Sequence, residues 1–400
     1  MHQIHQIYLE IIKNACENRT YSGVIKRQNI AELSKLAQKH FTAPFLLPYT
    51  NASAEDLSQS LAYQTKMMMF HYYQIEHFTA LTVSLLNQAG ISCFLLKGIS
   101  LAAFYPSPEY RKLGDVDIYI PDQKALNKAK GLLEAHGYVL SPEISDHHLT
   151  YKYTFPKTER THILELHFRI VGKYQYEKAN QIIDSIYSSQ SLSPCFQEIH
   201  GKTYQVLPPT EYVFYMIHHM LKHYLYSGFG IRLLCDFSLY LNAHSQEIDF
   251  KRIHAWCRES HILHLYEIIL ESCRLWLGLS AEIDPETHYS RKSCEDFIEK
   301  VLSDNDMGTN EDRALVNSGS YKKVNLWTYF KEGHIQMHVR FPRLGRCPLL
   351  WPVLWTITLL YFLHNTYHFR RTTLRQTLRD FKENNHKTRL IRVFDNRHGH

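Results

Sequence analysis

The spacing of apolar residues predicts helices towards both ends of the chain and a mixture of strands and helices between them. From Glu55 to Gln88 apolar side chains recur every three or four residues, so this stretch is predicted to form one long amphipathic helix that Ala89-Gly90 ends. Residues 1–40 carry the same spacing in shorter pieces, which predicts two short helices.

Short alternating runs between residues 91 and 207 are typical of strands. The predicted strands are Ile91–Leu96, Asp115–Ile120, His148–Phe155 and His162–Ile170, followed by a hairpin of Cys195–Ile199 and Thr203–Leu207. Helices are predicted between them, from Pro121-Asp122 to Gly137 and over residues 174–187. Strands that alternate with helices in this way indicate a small mixed sheet flanked by helices.

After Pro208-Pro209 the helical spacing returns and continues to about residue 302, with Thr210 as the expected N-cap of the first helix. We therefore predict an α+β fold, in which a small mixed-sheet core flanked by helices is followed by a mostly α-helical domain. The predicted divisions are N-terminal helices at 1–54, the core at 55–207, the helical domain at 208–302, a mobile polar loop at 303–320, and an apolar helix with a basic tail at 321–400.

Composition and charge place the chain among soluble globular proteins, with 44% hydrophobic and 21% charged residues. The net charge of +6 is concentrated from His364 onward, where nine Lys and Arg residues face three acidic ones, so it indicates no specific nucleic-acid partner. The eight cysteines are scattered without a C-x-x-C pair, which favours reduced thiols and a cytoplasmic location.

The most apolar stretch, residues 348–363, is shorter than the roughly 20 residues that a membrane-spanning helix needs, and Pro352 interrupts it. Two interpretations follow from this. The stretch is either a buried helix or a helix in the plane of a membrane surface, with the basic residues on both sides of it meeting anionic lipid. In the second case residues 348–371 make a peripheral contact with the inner membrane.

Two aspartates, Asp115 and Asp117, lie at the start of a predicted strand, and because alternate strand residues share a face, their carboxylates lie side by side. Such a pair repels unless a divalent cation neutralises it, and Mg²⁺ is usually held by carboxylates together with substrate phosphates. Glu165 is the best candidate for a third carboxylate in a two-metal site. A D-x-D pair alone is more often an exposed strand end than a site.

Lys97-Gly98 follows the preceding predicted strand and opens a short helix. Glycine at such a junction lets backbone amides approach a phosphate closely. Ser100 adds a hydroxyl group, and Lys97 and Arg111 add positive charge. Together with the aspartates of the next strand, these residues form a candidate metal-and-phosphate site.

The run from Leu96-Lys97-Gly98 through Gly114-Asp115-Val116-Asp117 to Glu165-Leu166-His167 resembles the nucleotidyltransferase-family proteins of the DNA polymerase beta superfamily. The resemblance continues in His218-His219…Leu221-Lys222-His223 and in residues 230–236, and it covers about residues 55 to 259. The branch that it resembles is bacterial, uncharacterised and associated with surface-polysaccharide gene clusters.

This resemblance implies that Asp115 and Asp117 bind the metal ions and that Gly98 and Ser100 hold the nucleotide phosphates. Either Glu165 or His167 would supply the third catalytic group. The residues that it places along the nucleotide or acceptor cleft are His219, Lys222, His223 and Arg232.

The helical residues among these also have simpler interpretations. Histidines at i,i+4, as in His219 and His223, can bind zinc, although the glutamate of an H-E-x-x-H motif is absent, or they can be ordinary core or surface residues. Arg232 and Asp236 have the spacing of an intrahelical ion pair, whereas an Arg232 that faces the cleft would bind phosphate.

The residues and the resemblance together predict an enzyme that uses Mg²⁺, or Mn²⁺ in its place, to move an NMP group from an NTP such as ATP to an unknown acceptor, in surface-polysaccharide biosynthesis. Two other classes stay open. One is a non-catalytic interaction protein that keeps this scaffold and contacts a membrane, and the other is a toxin that nucleotidylates tRNA or protein.

Overall fold

A computed structural model describes residues 1–50, 55–142, 145–156, 159–174, 176–224, 229–303, 334, 337–338, 341 and 344–368. The α-helices before residue 304 are α1 Gln3–Cys16, α2 Arg27–Lys39, α3 Ala43–Leu46, α4 Glu55–Gln88, α5 Ile99–Ala102, α6 Gln123–Ala135, α7 Glu177–Ile186, α8 Pro209–Lys222, α9 Ile231–His244, α10 Phe250–Glu259, α11 Leu263–Trp276 and α12 Arg291–Ser303. A further helix, Trp351–His368, is called the C-terminal helix below.

The strands form one mixed sheet in the order β3-β4-β5-β2-β1-β7-β6. They are β1 Phe94–Leu95, β2 Val116–Tyr119, β3 Val139–Leu140, β4 His148–Thr154, β5 Thr161–His167, β6 Cys195–Ile199 and β7 Lys202–Val206. The pairs β2–β5 and β1–β7 are parallel, and the other neighbours are antiparallel. This seven-stranded mixed sheet, with helices around it and after it, confirms the predicted α+β fold.

The first residues of α6 and α8 are set by side chains close to them in the sequence. Asp122 caps α6 by accepting a hydrogen bond from the Ala125 backbone N–H at 2.7 Å, and Gly137 follows the end of the helix with φ 85°, as the sequence predicts. The predicted cap at Thr210 is wrong. Helix α8 begins one residue earlier, at Pro209, because proline suits the first helical position, and the Thr210 hydroxyl instead accepts a hydrogen bond from the Asp249 N–H at 2.9 Å.

The register of the central strands decides which side chains meet. In the parallel pair β2–β5, Asp117 lies opposite Glu165 and Tyr119 lies opposite His167. Antiparallel β4 then places His148 opposite His167. Because alternate residues share a face, the acidic residues and the two histidines project from one face of the sheet. The apolar residues of the other face are buried: Val116, Ile118, Leu164 and Leu166.

One hydrophobic cluster runs from the N-terminal helices through the sheet to α12. It contains Ile12, Phe78, Ile118, Phe237 and Phe297, none more than 1% exposed. The helices after residue 208 therefore share a core with the sheet that holds the acidic residues. The divisions at 54 and 207 stay a prediction.

The C-terminal helix has Pro352 in its first turn, so this proline begins a helix and does not interrupt one. Leu354 is 5% exposed, but Val353 and Leu360 are 59% and 58% exposed, and the interpretation as a buried helix is therefore wrong for this face. In the part of the chain described, every helix is too short or too polar to cross a membrane. The predicted loop beyond Ser303, up to residue 320, and the basic tail beyond His368 lie outside the described residues.

Candidate active site

The three acidic residues that the sequence points to meet on one face of the sheet. Asp117, inside β2, has 1% of its side chain exposed and is paired in register with Glu165 of β5. Asp115 comes directly before β2 and keeps 32% of its side chain exposed, and Glu165 keeps 22%. The arrangement is a buried carboxylate with a more accessible one on each side.

Lys97 is the first cation at this cluster. Its Nζ lies 3.2 Å from Asp117 Oδ2 and 3.7 Å from Asp115 Oδ1. Burial acts to lower the pKa of Lys97, but the charges of Asp115, Asp117 and Glu165 raise it above its ordinary value, so the ammonium stays charged. Lys97 reaches both aspartates because it comes two residues after β1, the antiparallel neighbour of β2.

His167 lies between the carboxylates of Asp117 and Glu165. Its Nε2 is 3.1 Å from Asp117 Oδ1 and 3.3 Å from Glu165 Oε2, and His148 Nε2 is 3.6 Å from Glu165 Oε1. The His167 Nδ1 is buried and has no hydrogen-bond partner among the described residues. Both candidates for the third group, Glu165 and His167, are thus brought to Asp117.

The electrostatics of the cluster follow from these contacts. Burial and the charge of Asp115 raise the pKa of Asp117 to about 6, against the opposing effect of Lys97. Burial also acts to raise the pKa of Glu165, but the hydrogen bond with His167 and the charge of Lys97 lower it below its ordinary value. For His167, burial acts to lower the pKa, and the two carboxylates raise it. Repulsion between carboxylates therefore remains in spite of Lys97 and His167.

Arg111 and Ser100, expected at the phosphates, are committed to internal partners. Arg111 donates from Nε and Nη2 to the two carboxylate oxygens of Asp236, both at 2.7 Å, and from Nη1 to the Gly98 carbonyl at 3.2 Å. The Ser100 side chain is buried, and its hydroxyl lies 2.9 Å from Tyr212 Oη. These placements correct the expectation that the two side chains face a phosphate, since both hold the Gly98 loop from inside the protein.

Gly98 has the backbone geometry that only glycine adopts readily. Its φ of 78° and ψ of −119° lie outside the regions open to other residues, and it directly precedes the four-residue helix α5. A Cβ built on Gly98 would meet no atom within 4 Å. The glycine is therefore required by backbone conformation and not by lack of space.

Lys222, the last residue of α8, lies close enough to the acidic cluster to be affected by its charges. The carboxylates of Glu165, Asp117 and Asp115 all act on it, although burial has the larger effect and lowers the pKa of Lys222. Its Nζ lies 3.1 Å from Nε2 of His147. The expected role of Lys222 at the edge of the cleft stays a prediction.

The remaining cleft residues lie along α8 and α9. His219 Nε2 and His223 Nε2 are 3.1 Å apart, and in the described chain neither belongs to a group of three potential metal ligands. A zinc helix as considered from the sequence therefore lacks its third ligand there. Arg232 Nη1 lies 3.9 Å from Asp236 Oδ2, which is the predicted intrahelical pair, but Arg111 makes the shorter contacts with Asp236.

Sequence reasoning missed Asp146, His147 and His148. The Asp146 Oδ1 lies 2.8 Å from His147 Nδ1, and the rings of His148 and His167 have centroids 5.1 Å apart. The run Asp-His-His before a strand pattern was a visible signal. Only the register of β4 against β5, however, shows that His148 lies opposite His167.

Two overlapping groups of side chains in the described chain offer one potential metal-ligand atom per residue, with the atoms of each group within 4.8 Å of one another. The groups are Asp117, Glu165, His167 and His147, His148, His167. The first combines carboxylate oxygens with an imidazole, and the second is made of imidazoles alone.

A cavity of about 390 Å³ lies beside this cluster, next to the ends of β2 and β5. Tyr119, Asp146, Arg169 and Lys173 are among the residues that line it, and the three carboxylates of the site are not. The sequence pattern predicts Arg169 on the face of Glu165 and His167. Because β5 ends at His167, Arg169 instead donates to Asp184 at 2.7 Å.

Comparison with known proteins gives one family match and one structural similarity. A family model described as "Uncharacterised nucleotidyltransferase" matches residues 26–278. Among solved structures, the crystal structure of an antigenic nucleotidyltransferase-like protein from Paracoccidioides brasiliensis is similar over 51% of this chain and 93% of that chain, with 17% identity and a TM-score of 0.33. No curated protein matches the chain.

Proposed function

The chain belongs to this family of uncharacterised nucleotidyltransferases, and from that premise we propose that it transfers a nucleotidyl group from an NTP to an acceptor with the help of a divalent cation. The observation that carries the proposal is the register of β2 against β5, which pairs Asp117 with Glu165 beside Asp115. Three carboxylates brought together by β2 and β5 can hold the divalent cations that assist such a transfer.

The residues present fit a divalent cation. Asp117 is almost fully buried, its Oδ2 contacts the Lys97 ammonium at 3.2 Å, and its pKa is still raised by burial and by the charge of Asp115. A cation held by Asp115, Asp117 and Glu165 would remove this repulsion. Carboxylate oxygens suit Mg²⁺, with Mn²⁺ as the ion that also accepts them. Such an ion supplies charge stabilisation on the transferring phosphoryl group.

In this proposal Glu165 is the third metal ligand. His167 positions the carboxylates and does not bind the ion. The imidazole hydrogen-bonds Asp117 and Glu165 through the same nitrogen, so it fixes the orientation of both. One carboxylate of the cluster accepts the proton of the attacking acceptor group as this group bonds to the α-phosphorus, and the bond from the α-phosphorus to the bridging oxygen breaks to release pyrophosphate. The two buried pairs Arg111–Asp236 and Ser100–Tyr212 keep the Gly98 loop in position beside the cluster.

Two lysines supply the positive charge that a triphosphate needs. Lys97 already pairs with Asp115 and Asp117, and its ammonium would be free to contact the phosphates if these aspartates held a cation. Lys222 approaches the same cluster from α8. Charge-assisted contacts from such groups stabilise the negative charge that develops on the phosphates during transfer.

The test follows the α-phosphate and γ-phosphate separately. The purified chain, Mg²⁺ and each of the four NTPs are incubated with a bacterial lysate as acceptor source, once with the label on the α-phosphate and once on the γ-phosphate. We expect transfer of the α-label alone, followed by mass analysis of the labelled product. The Asp115→Asn and Asp117→Asn variants should lose at least about 10²–10³-fold in rate.

The matched control is Asp296→Asn, which changes an exposed carboxylate of α12 that pairs with Lys292 at 3.4 Å. This variant should transfer at the wild-type rate. Transfer of the γ-label would show a kinase reaction, and undiminished α-label transfer by Asp117→Asn would refute the metal assignment.

A further inference from the structure

Three histidines pack together next to the proposed nucleotidyl-transfer site. His147 and His148 stand at the start of β4 and His167 at the end of β5, and each offers a ring nitrogen within 4.8 Å of those offered by the other two. The ring centroids are 4.4 Å apart for His147 and His148, 5.1 Å for His148 and His167, and 5.6 Å for His147 and His167. All three side chains are largely buried, with at most 12% exposed.

Neighbouring groups hold the Nδ1 atoms of His147 and His148, and the two Nε2 atoms face Lys222 Nζ at 3.1 Å and Glu165 Oε1 at 3.6 Å. Asp146 Oδ1 lies 2.8 Å from His147 Nδ1, and the Ser145 hydroxyl lies 2.9 Å from the same nitrogen and 3.2 Å from His148 Nδ1. A carboxylate that accepts the N–H of one ring nitrogen leaves the other as a lone-pair donor, which is the usual support of a metal-binding histidine.

A cation already stands in front of His147. The Lys222 ammonium lies 3.1 Å from Nε2, and since an ammonium can only donate, this nitrogen is the acceptor. The third histidine carries a separate signal, because His167 Nδ1 is buried without a hydrogen-bond partner among the described residues. Buried polar atoms in proteins are normally paired, so an unpaired one needs a ligand or another explanation.

We propose that His147, His148 and His167 form a second metal site, which binds a divalent transition metal such as Zn²⁺. Imidazole nitrogens are ligands for zinc, cobalt and nickel, whereas Mg²⁺ takes oxygen ligands. The site therefore differs in metal preference from the carboxylate site of the proposed function, and it does not depend on that function. Asp146 is its positioning residue, and Lys222 competes with the metal for His147.

The experiment titrates the metal-free full chain with Co²⁺, whose visible absorption reports coordination by imidazole, and then displaces it with Zn²⁺. The wild type should bind one more Co²⁺ ion per chain than His148→Gln or His147→Gln does. Circular dichroism checks that the variants fold. Asp146→Asn should lower the affinity for this Co²⁺ ion by about 10–100-fold. Lys222→Met should tighten it, because the competing ammonium is gone, and a purely structural role for the histidines predicts no such gain.

Three further variants decide between this site and its neighbours. His136→Gln changes an exposed histidine at the C-cap of α6 and should leave the binding curve unchanged. Loss of the Co²⁺ signal in His219→Gln, or in Asp115→Asn, would assign the metal to α8 or to the carboxylates and overturn the proposal, as would wild-type binding by both His147→Gln and His148→Gln. Failure of nucleotidyl transfer alone, with the Co²⁺ equivalent retained in wild type and in Asp115→Asn, would refute the proposed function and leave this site standing.

Discussion

Two clusters of buried charge lie close together in this protein and are built differently. In the first, Arg111 makes a bidentate contact with Asp236 at 2.7 Å, the Tyr105 hydroxyl donates to the same carboxylate at 2.8 Å, and the Arg111 Nη1 donates to the Gly98 carbonyl. In the second, Asp117 shares Lys97 and His167 with two other carboxylates. The first cluster balances its charge, and the second leaves like charges facing each other.

The difference separates a structural ion pair from a candidate binding site. A buried pair in which every group is hydrogen-bonded has nothing to gain from a ligand, and breaking it leaves one charge uncompensated. A carboxylate whose pKa is raised by burial and by a second carboxylate can lower its free energy by binding a cation. The contrast therefore predicts opposite stability effects for substitutions in the two clusters.

The largest stability effect is expected for Arg111→Met. Asp236 is 2% exposed, so the substitution leaves a buried carboxylate without its bidentate partner and should cost about 3–5 kcal/mol in free energy of unfolding. Asp117→Asn should cost nothing at neutral pH, because it removes repulsion with Asp115. Urea denaturation of both variants in the presence of a chelator measures the difference.

The control for this comparison is Glu295→Gln, which breaks the exposed i,i+4 pair of Arg291 and Glu295 in α12. It should change the free energy of unfolding by less than about 1 kcal/mol. A loss of several kcal/mol in Asp117→Asn, equal to that in Arg111→Met, would mean that the acidic cluster is as structural as the ion pair.

A smaller effect depends on pH and isolates Asp117. Its pKa is raised from 3.8 to about 6 in the folded chain, so the protonated carboxyl favours folding below the unfolded value, and this contribution is lost as the pH rises through about 6. By pH 8 the loss amounts to about 3 kcal/mol at most, since one pKa unit corresponds to 1.36 kcal/mol. Asp117→Asn does not ionise and escapes the loss.

The measurement is the difference in free energy of unfolding between Asp117→Asn and wild type, at pH 5 and at pH 8, without divalent cations. The free energy of unfolding of the variant should increase relative to that of the wild type as the pH rises. Groups that do not interact with Asp117 titrate alike in both chains and cancel in the difference. His167, whose pKa Asp117 raises, does not cancel, and its contribution has the same sign because the wild type loses more of it as the pH rises. An equal difference at both pH values would contradict the raised pKa. Added Mg²⁺ should stabilise the wild type more than the variant at pH 8.

Local rules account for what the sequence predicted correctly. Alternation within one strand places Asp115 and Asp117 together, and the Asp122 cap and Gly137 define α6 from side-chain and backbone chemistry within a few residues. The grouping of these acidic side chains is therefore predictable from the amino-acid sequence alone, and their role as metal ligands stays a prediction. Glu165 was found because its strand alternates in the same way, although the pairing partner of that strand is set by tertiary structure.

Contacts between distant residues account for what the sequence could not predict. Arg111 and Asp236 are 125 residues apart, and Ser100 and Tyr212 are 112 apart, so a positive charge and a hydroxyl near a glycine loop looked like phosphate ligands. The strand predicted at Ile91–Leu96 is only Phe94–Leu95, because strand length depends on which neighbours pair with it. The positions of His147 and His148 beside His167 could likewise be known only from the pairing of β4 with β5.

The smallest effect tests the loop that lies between the two clusters. Gly98 and Gly114 both have open space where a Cβ would go, but only Gly98 has a positive φ, of 78°. Gly98→Ala should therefore lower the free energy of unfolding by roughly 1–2 kcal/mol through backbone strain. Gly114→Ala, with the same added atom and no such strain, is the matched control and should be close to neutral.

The two glycine variants also test whether backbone strain at Gly98 affects the acidic cluster. Arg111 holds the Gly98 carbonyl, and Lys97, the preceding residue, pairs with both aspartates, so strain at Gly98 is transmitted to the acidic cluster through its neighbour. In the nucleotidyl-transfer assay Gly98→Ala should lose more activity than its loss of stability explains, with Gly114→Ala at the wild-type level. Equal activity in the two variants would show that the loop supports the fold and takes no part in the reaction.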